Sequence, residues 1–238
     1  MARRSFTLAA FSFAAGLVSM LFKHGNFGME MNELSVRVLA DTEPLTKPDF
    51  IYLFAETKQN QSSVLIEGRA EYEKYQVPIA IAGHNNASGY PGFTAWASLL
   101  AKMEVPSHKI LPISYCPIPD HPEKMQTTLS EAKGLVRFAK ERNYRSVVII
   151  APPFHLPRCF ISVVSILLGA GDYYPDFKVF CKSGIALLWN EKTIHSQGIL
   201  LARRRELVNT EATSIAIYEK KGDLVPIKTA LAYLNSRD

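Results

Sequence analysis

Ser146-Val-Val-Ile-Ile-Ala-Pro-Pro-Phe-His-Leu-Pro-Arg158 is the stretch whose reading decides the fold. Val147 to Ile150 is a β-branched apolar run of the kind that forms a buried strand, and Pro152 and Pro153 cut it off. His155 and Arg158 follow at once, at the start of an apolar, helix-like segment from Leu156 to Leu168. That order places a titratable imidazole and a permanent cation at the carboxyl end of a strand. In open α/β sheets, ligands bind at that end.

The same alternation runs outward in both directions. Upstream, Phe50 to Ala55 reads as a strand, Ser62 to Tyr75 as a helix, and Val77 to Ala82 as a strand stopped by Gly83-His84-Asn85-Asn86. Phe93 to Met103 reads as a helix and Lys109 to Ile113 as a short strand. Ser114 to Met125 contains Pro117, Pro119 and Pro122 and reads as a loop. Thr128 to Asn143 is amphipathic, with Leu129, Ala132, Leu135, Val136 and Ala139 on one helical face. Downstream, Phe177 to Cys181 reads as a strand. The pattern predicts an α/β domain over residues 49–181, with a mainly parallel sheet of about five strands, helices on both faces and the Val147 strand at its centre. Residues 182–238 read as a C-terminal helical extension packed on the domain, with a helix over Gly198 to Asn209, Glu211 to Lys220 as its continuation or a second helix, and a short helix over Pro226 to Asn235.

The N-terminal part is of another kind. Arg3-Arg4 precede an uncharged, mostly apolar run from Phe6 to Phe22, closed by Lys23 and His24. Residues 1–25 read as a signal anchor or signal peptide. As an anchor, residues 6–22 would hold the chain in a membrane with the domain on the extracytoplasmic side. Two other readings stay open: an amphipathic or buried first helix, and an organelle presequence, since no acid occurs before Glu30. The last of these leaves a soluble or organellar domain. Residues 26–48 read as a connector, punctuated by Gly28, Pro44 and Pro48.

Composition narrows the function classes. The chain has 238 residues, 47% of them hydrophobic, enough for one full core in a single domain. The net charge of +5 is mild, and no basic stripe is interleaved with aromatics, which disfavours a nucleic-acid partner. Cys116, Cys159 and Cys181 are odd in number and lack metal-ligand spacing, so neither a disulfide framework nor a zinc site is indicated. Dinucleotide-binding, Walker, nucleophile-elbow and H-E-x-x-H motifs are absent. Nothing in the sequence names a cofactor. Asn60-Gln61-Ser62 and Asn86-Ala87-Ser88 match the short glycosylation pattern, which is common by chance.

If the sheet is parallel, its strand ends gather Glu56, then Gly83, His84 and Asn85, then the helix start at Thr127, Thr128, Ser130 and Glu131, and finally His155 and Arg158. A base, a cation, amides and hydroxyls together suit an anionic small molecule. His155 would serve as acid or base in group transfer or hydrolysis, and Arg158 as a clamp for the anion. Glu56, Gly83, His84, Asn85, Thr128, Ser130 and Glu131 would line the ligand site. Blander readings stand beside these. Thr127 or Thr128 can simply cap the helix, with Ser130 or Glu131 near its third position. His155 can bond a loop carbonyl, and Cys159 can face the core. The alternative function is a non-catalytic, membrane-anchored binding or scaffold module.

Thr128-Leu129-Ser130-Glu131-Ala132, the helix they open, the Val147 strand and Phe154-His155-Leu156-Pro157-Arg158 together resemble the YdcF/SanA-like family. The likeness runs from about Asp49 to Leu168. It implies a Rossmann-like three-layer domain with a ligand site at this face, in a family of unknown function with members implicated in bacterial envelope biogenesis; the anionic ligand would then be nucleotide-like or envelope-derived. The chain departs from the family pattern in places. Ser130 and Glu131 stand where the family usually has Glu and Asn, Ala55-Glu56 replaces a glycine pair, and Ala82-Gly83-His84 replaces a Ser-Gly-Gly-like turn.

Overall fold

The computed structural model describes residues 25–87, 89–116, 127–169, 174, 176–195 and 200–237. At its centre are five strands: β1 (Phe50–Leu53), β2 (Ile79–Ala82), β5 (Ile110–Ile113), β6 (Ser146–Ala151) and β7 (Lys178–Ser183). All pair in parallel in the order β5-β2-β1-β6-β7. This is a Rossmann-like, doubly wound arrangement in which the strand order reverses between β1 and β6. β6 is hydrogen-bonded on both sides, and Val147 to Ile150 are buried.

Strand periodicity sorts the core into two layers. Phe50 and Tyr52 of β1, with Val147 and Ile149 of β6, face one layer. That layer is built by α1 (Gly25–Leu39), α4 (Thr128–Glu141), α5 (Leu156–Leu168), α6 (Arg204–Lys221) and α7 (Ile227–Arg237). Ile51 and Leu53, with Val148 and Ile150, face α2 (Gln61–Tyr75) and α3 (Phe93–Lys102) on the other side. Two antiparallel hairpins complete the described chain: β3 (Asn85–Ala87) with β4 (Tyr90–Gly92), and β8 (Lys192–His195) with β9 (Leu200–Arg203).

Two sequence expectations change. The connector expected over 26–48 contains helix α1. Its stripe of Met31, Leu34 and Val38 is buried against α5 and α7, while exposed Met29 and Val36 blur the pattern in sequence. The helix expected from Gly198 begins only at Arg204, because Leu200–Arg203 pairs with β8. Tertiary bonds hold that hairpin: Thr57 donates to the Ile194 carbonyl at 2.7 Å, and Thr193 donates to Asn60 Oδ1 at 3.1 Å. Helices α6 and α7 share the core of the sheet. Ile215, Ile227, Ala230 and Leu234 belong to the same buried cluster as β6. Arg237 fixes the end of α7, donating to Asp41 at 2.6 and 2.8 Å and to the Val179 carbonyl at 2.6 Å. Residues 6–22, the expected hydrophobic helix, lie outside the described residues. Among those described, no helix is long and apolar enough to cross a membrane.

Gly134 sets the seat of α4. A Cβ there would lie 2.4 Å from the Ser114 carbonyl oxygen, a backbone atom at the end of β5. Replacing a helical glycine by alanine gains about 1 kcal/mol of propensity. Overpacking against backbone costs about 1–3 kcal/mol. Gly134→Ala is therefore expected to lower the urea midpoint of unfolding and to loosen the α4 start. An unchanged or raised midpoint would show that the β5–α4 junction yields freely.

Candidate active site at the carboxyl edge of the sheet

The site is built where β1 and β6 part company in the sheet. Residues just past β1 supply Glu56, which is 2% exposed. The Pro152-Pro153 turn after β6 ends at His155, the residue before α5, which is 5% exposed. Pro157 at the start of α5 suits a helix beginning, where a missing N–H costs nothing. Arg158 follows one turn on. These two elements bring His155 Nδ1 within 2.6 Å of Glu56 Oε1.

The other ring nitrogen, His155 Nε2, meets Thr128 Oγ1 at 3.3 Å and Arg158 Nη2 at 3.3 Å. A guanidinium can only donate. His155 Nε2 must therefore carry the lone pair, and Nδ1–H donates to Glu56. Burial pushes the His155 pKa down, and the Arg158 charge adds to that; nearby Glu211 and Glu56 oppose it. The result is a neutral imidazole whose basic nitrogen points at a hydroxyl.

Two residues outside the sequence expectation complete the cluster. His195 of β8 lies with its ring centre 5.1 Å from that of His155. Its Nε2 donates to Glu211 Oε1 of α6 at 2.8 Å, and its Nδ1 is 3.7 Å from Glu56 Oε2. Glu211 also accepts from Arg158 Nε, and from Arg158 Nη2 at 3.2 Å. Burial alone would lower His195, but the bonds to Glu211 and Glu56 raise it to about 9, so it is an imidazolium. Burial would raise Glu56, yet the hydrogen bonds from His155 and His195 hold it at about 2. Glu211 likewise stays ionised against its burial, chiefly through Arg158. Two carboxylates thus face one guanidinium and one imidazolium, and the cluster is neutral within itself.

Glu131 forms the adjoining wall. Its carboxyl accepts from Tyr52 Oη at 2.8 Å, from the Ala55 amide at 2.8 Å and from Tyr115 Oη at 3.1 Å. Burial outweighs these bonds and raises it to about 7. The His84 ring lies against Tyr115, tilted by 51° with ring centres 4.4 Å apart.

The sequence-derived site residues therefore divide. Glu56, Thr128, His155 and Arg158 meet directly. Glu131 and His84 join through Tyr115. Gly83 is spent on strand ends, its amide donating to the Ile113 carbonyl at 2.8 Å. Ser130 is fully buried in a capping box with Thr127, which settles the cap in favour of Thr127 and leaves the Thr128 hydroxyl to His155. The Asn85 side chain lies outside the described residues. Arg158, expected as an open clamp, is held by Glu211 through Nε and Nη2; among the described residues only its Nη1 lacks a partner. Asn60 is fully buried and accepts from Thr193 and Arg204, so it is no glycan acceptor in the folded chain. Burial raises the Cys159 thiol well above its usual range and leaves it inert.

His155, His195 and Glu211 offer donor atoms within 4.8 Å of one another, the donor set of a two-histidine, one-carboxylate metal site. Arg158 decides against that use. Its Nη2 stands 3.3 Å from His155 Nε2 and 3.2 Å from Glu211 Oε1, so a guanidinium nitrogen already holds the position between these donors. His195 and Glu211 escaped the sequence reading because each depends on distant packing. One signal was present: Glu211 falls on the helical stripe of Leu207 and Ile215, where an apolar residue belongs. No family model and no curated protein matches the chain.

Linkage gives a pH test of the cluster. The folded chain holds the His195 proton up to about 9, whereas an ordinary histidine releases it near 6.5. The stabilisation is complete below the lower value and is lost as pH rises through the upper one. Glu131 acts in the same sense up to about 7, and His155, with its lowered value, acts in the opposite sense below 6.5. Among these groups the window from 7 to 9 belongs to His195. Urea unfolding should show a loss on the order of 1–3 kcal/mol across that window. His195→Gln should start less stable and stay level. A wild-type midpoint flat from pH 7 to 9 would mean that His195 is not charged.

Proposed function

We propose that this chain is an enzyme of group transfer or hydrolysis, acting on an anionic small molecule with His155 as acid and base. One observation carries the reading: Glu56 fixes the buried His155 through Nδ1, and this turns a lone pair at Nε2 toward the Thr128 hydroxyl. A positioned histidine with an orienting carboxylate is the arrangement general acid–base chemistry needs. The position at the strand-order reversal favours it further, since α/β sheets bind ligands there. Helices α4 and α5 both begin at this face, which favours negative charge, and Arg158 Nη1 is the donor left for an anionic group. The separated fates of the two histidines point the same way: one is held neutral and the other protonated. Membership in the YdcF/SanA-like family belongs to the same proposal, resting on the Thr128 helix start and the Phe154-to-Arg158 segment.

A screen of nitrophenyl carboxylic esters, phosphomonoesters, phosphodiesters and nucleotides tests the reading. Turnover of one class is expected, with kcat falling about 100- to 10,000-fold in His155→Ala and in Glu56→Gln. Urea unfolding of each variant separates lost chemistry from lost fold. Activity indifferent to His155→Ala would overturn the assignment, and ligand binding without turnover in any class would favour the scaffold reading.

Residues 6–22 are proposed to anchor the domain to a membrane, on its extracytoplasmic side, because the run is uncharged and follows Arg3-Arg4. Deleting residues 1–25 should move the protein from the membrane to the soluble fraction. A truncated chain that still sediments with membranes would exclude the anchor.

A further inference from the structure

We infer that Thr128 is the nucleophile of this site and that the group it accepts is an acyl group, which makes the substrate a carboxylic ester or thioester carrying an anionic group. This deepens the proposed acid–base chemistry at His155 and rests on it.

The geometry has the three parts of an activated hydroxyl. Thr128 Oγ1 lies 3.3 Å from His155 Nε2, and His155 Nδ1 lies 2.6 Å from Glu56 Oε1. The order is hydroxyl, imidazole, carboxylate, the logic by which a base oriented by a third group activates an alcohol. Thr128 is partly exposed while His155 and Glu56 are buried, so substrate can meet the hydroxyl without wetting the base. The hydroxyl is also free of a structural duty. Capping falls to Thr127 and Ser130, and Glu131 is engaged with two tyrosines and an amide.

Charge selects an acyl over a phosphoryl group. Glu56 and Glu211 already balance Arg158 and His195, so Arg158 Nη1 and the helix starts can meet one negative charge on the substrate, but no second cation remains for a doubly charged phosphoryl group. An acyl transfer develops a single oxyanion. The backbone N–H groups of Thr128 and Leu129 have no partner among the described residues, and first-turn amides project from the helix start beside the hydroxyl. Two such donors suit a single oxyanion.

The steps balance. Thr128 Oγ attacks the carbonyl carbon as its proton passes to His155 Nε2. The tetrahedral intermediate collapses, the bond from carbon to the leaving oxygen or sulfur breaks, and the leaving group takes the proton from Nε2. Water then gives a proton to His155 and attacks the acyl-threonine ester. The second tetrahedral intermediate collapses, the bond from carbon to Thr128 Oγ breaks, Oγ takes back the proton from His155, and the carboxylic acid product leaves and gives its proton to solvent. Glu56 stays ionised and offsets the transient imidazolium.

An alkyl fluorophosphonate is the probe. Thr128 Oγ would form a bond to phosphorus, fluoride would leave and the proton would pass to His155. Intact-protein mass spectrometry with peptide mapping should find one adduct, on Thr128. Thr128→Ser should keep the adduct, whereas Thr128→Val, nearly isosteric, should lose it while unfolding at the wild-type urea midpoint. His155→Ala should slow labelling about 100-fold or more. No adduct on the folded wild type, an adduct elsewhere, or labelling unaffected by His155→Ala would each overturn the inference. Ester turnover separates it from the broader reading. If Thr128→Val keeps wild-type kcat while His155→Ala abolishes it, His155 activates water directly; acid–base catalysis then stands and the nucleophile does not.

Discussion

Glu56 is an ionised carboxylate placed where water scarcely reaches, and the elements around it answer its charge. Leaving such a group unpaired costs several kcal/mol, about 3–5 when one partner of a buried pair is removed. The answer comes from His155 in the turn before α5 and His195 in β8, and these two in turn are met by Arg158 of α5 and Glu211 of α6. None of these contributions is adequate alone, because each brings a charge or a polar nitrogen that needs its own partner. The folding of the C-terminal hairpin and of α6 is thereby tied to the integrity of the sheet edge.

The two histidines show how the same side chain acquires opposite roles within 5.1 Å. His195 sits between two carboxylates and keeps a proton. His155 shares one of those carboxylates but also faces a guanidinium, which offers only N–H groups. Burial is what chiefly keeps His155 unprotonated; Arg158 adds its charge to that effect while it holds Glu211. A lysine at this position would not reproduce that, because its point charge cannot span Glu211 and His155 as a planar fork does.

What could be read in the sequence follows from the range of each interaction. The Val147 strand, the α4 face and the α5 start were legible because their periodicity and their prolines are local. The strand-end rule then brought Glu56, Thr128, His155 and Arg158 together correctly, since it depends only on a parallel sheet. Arg158's partner was out of reach: Glu211 lies 53 residues away, on a helix whose register against the sheet no local pattern reveals. His195 was hidden for the same reason, in a hairpin held by Thr57 and Asn60 rather than by strong strand propensity. Helix α1 was missed because its buried stripe is interrupted by exposed apolar residues, so periodicity gave no clear face.

The Asp41–Arg237 pair joins positions 196 residues apart. Both side chains are almost wholly buried, and the guanidinium also closes on the Val179 carbonyl of the edge strand β7. On the ribosome, the layer holding α1 cannot be sealed until residues 227–237 have left the exit tunnel. Until then the apolar stripe of α1, though packed on α5, and the flank of β7 lack the cover that α7 gives them. The domain is therefore one whose α1 layer closes late, when segments 196 residues apart meet.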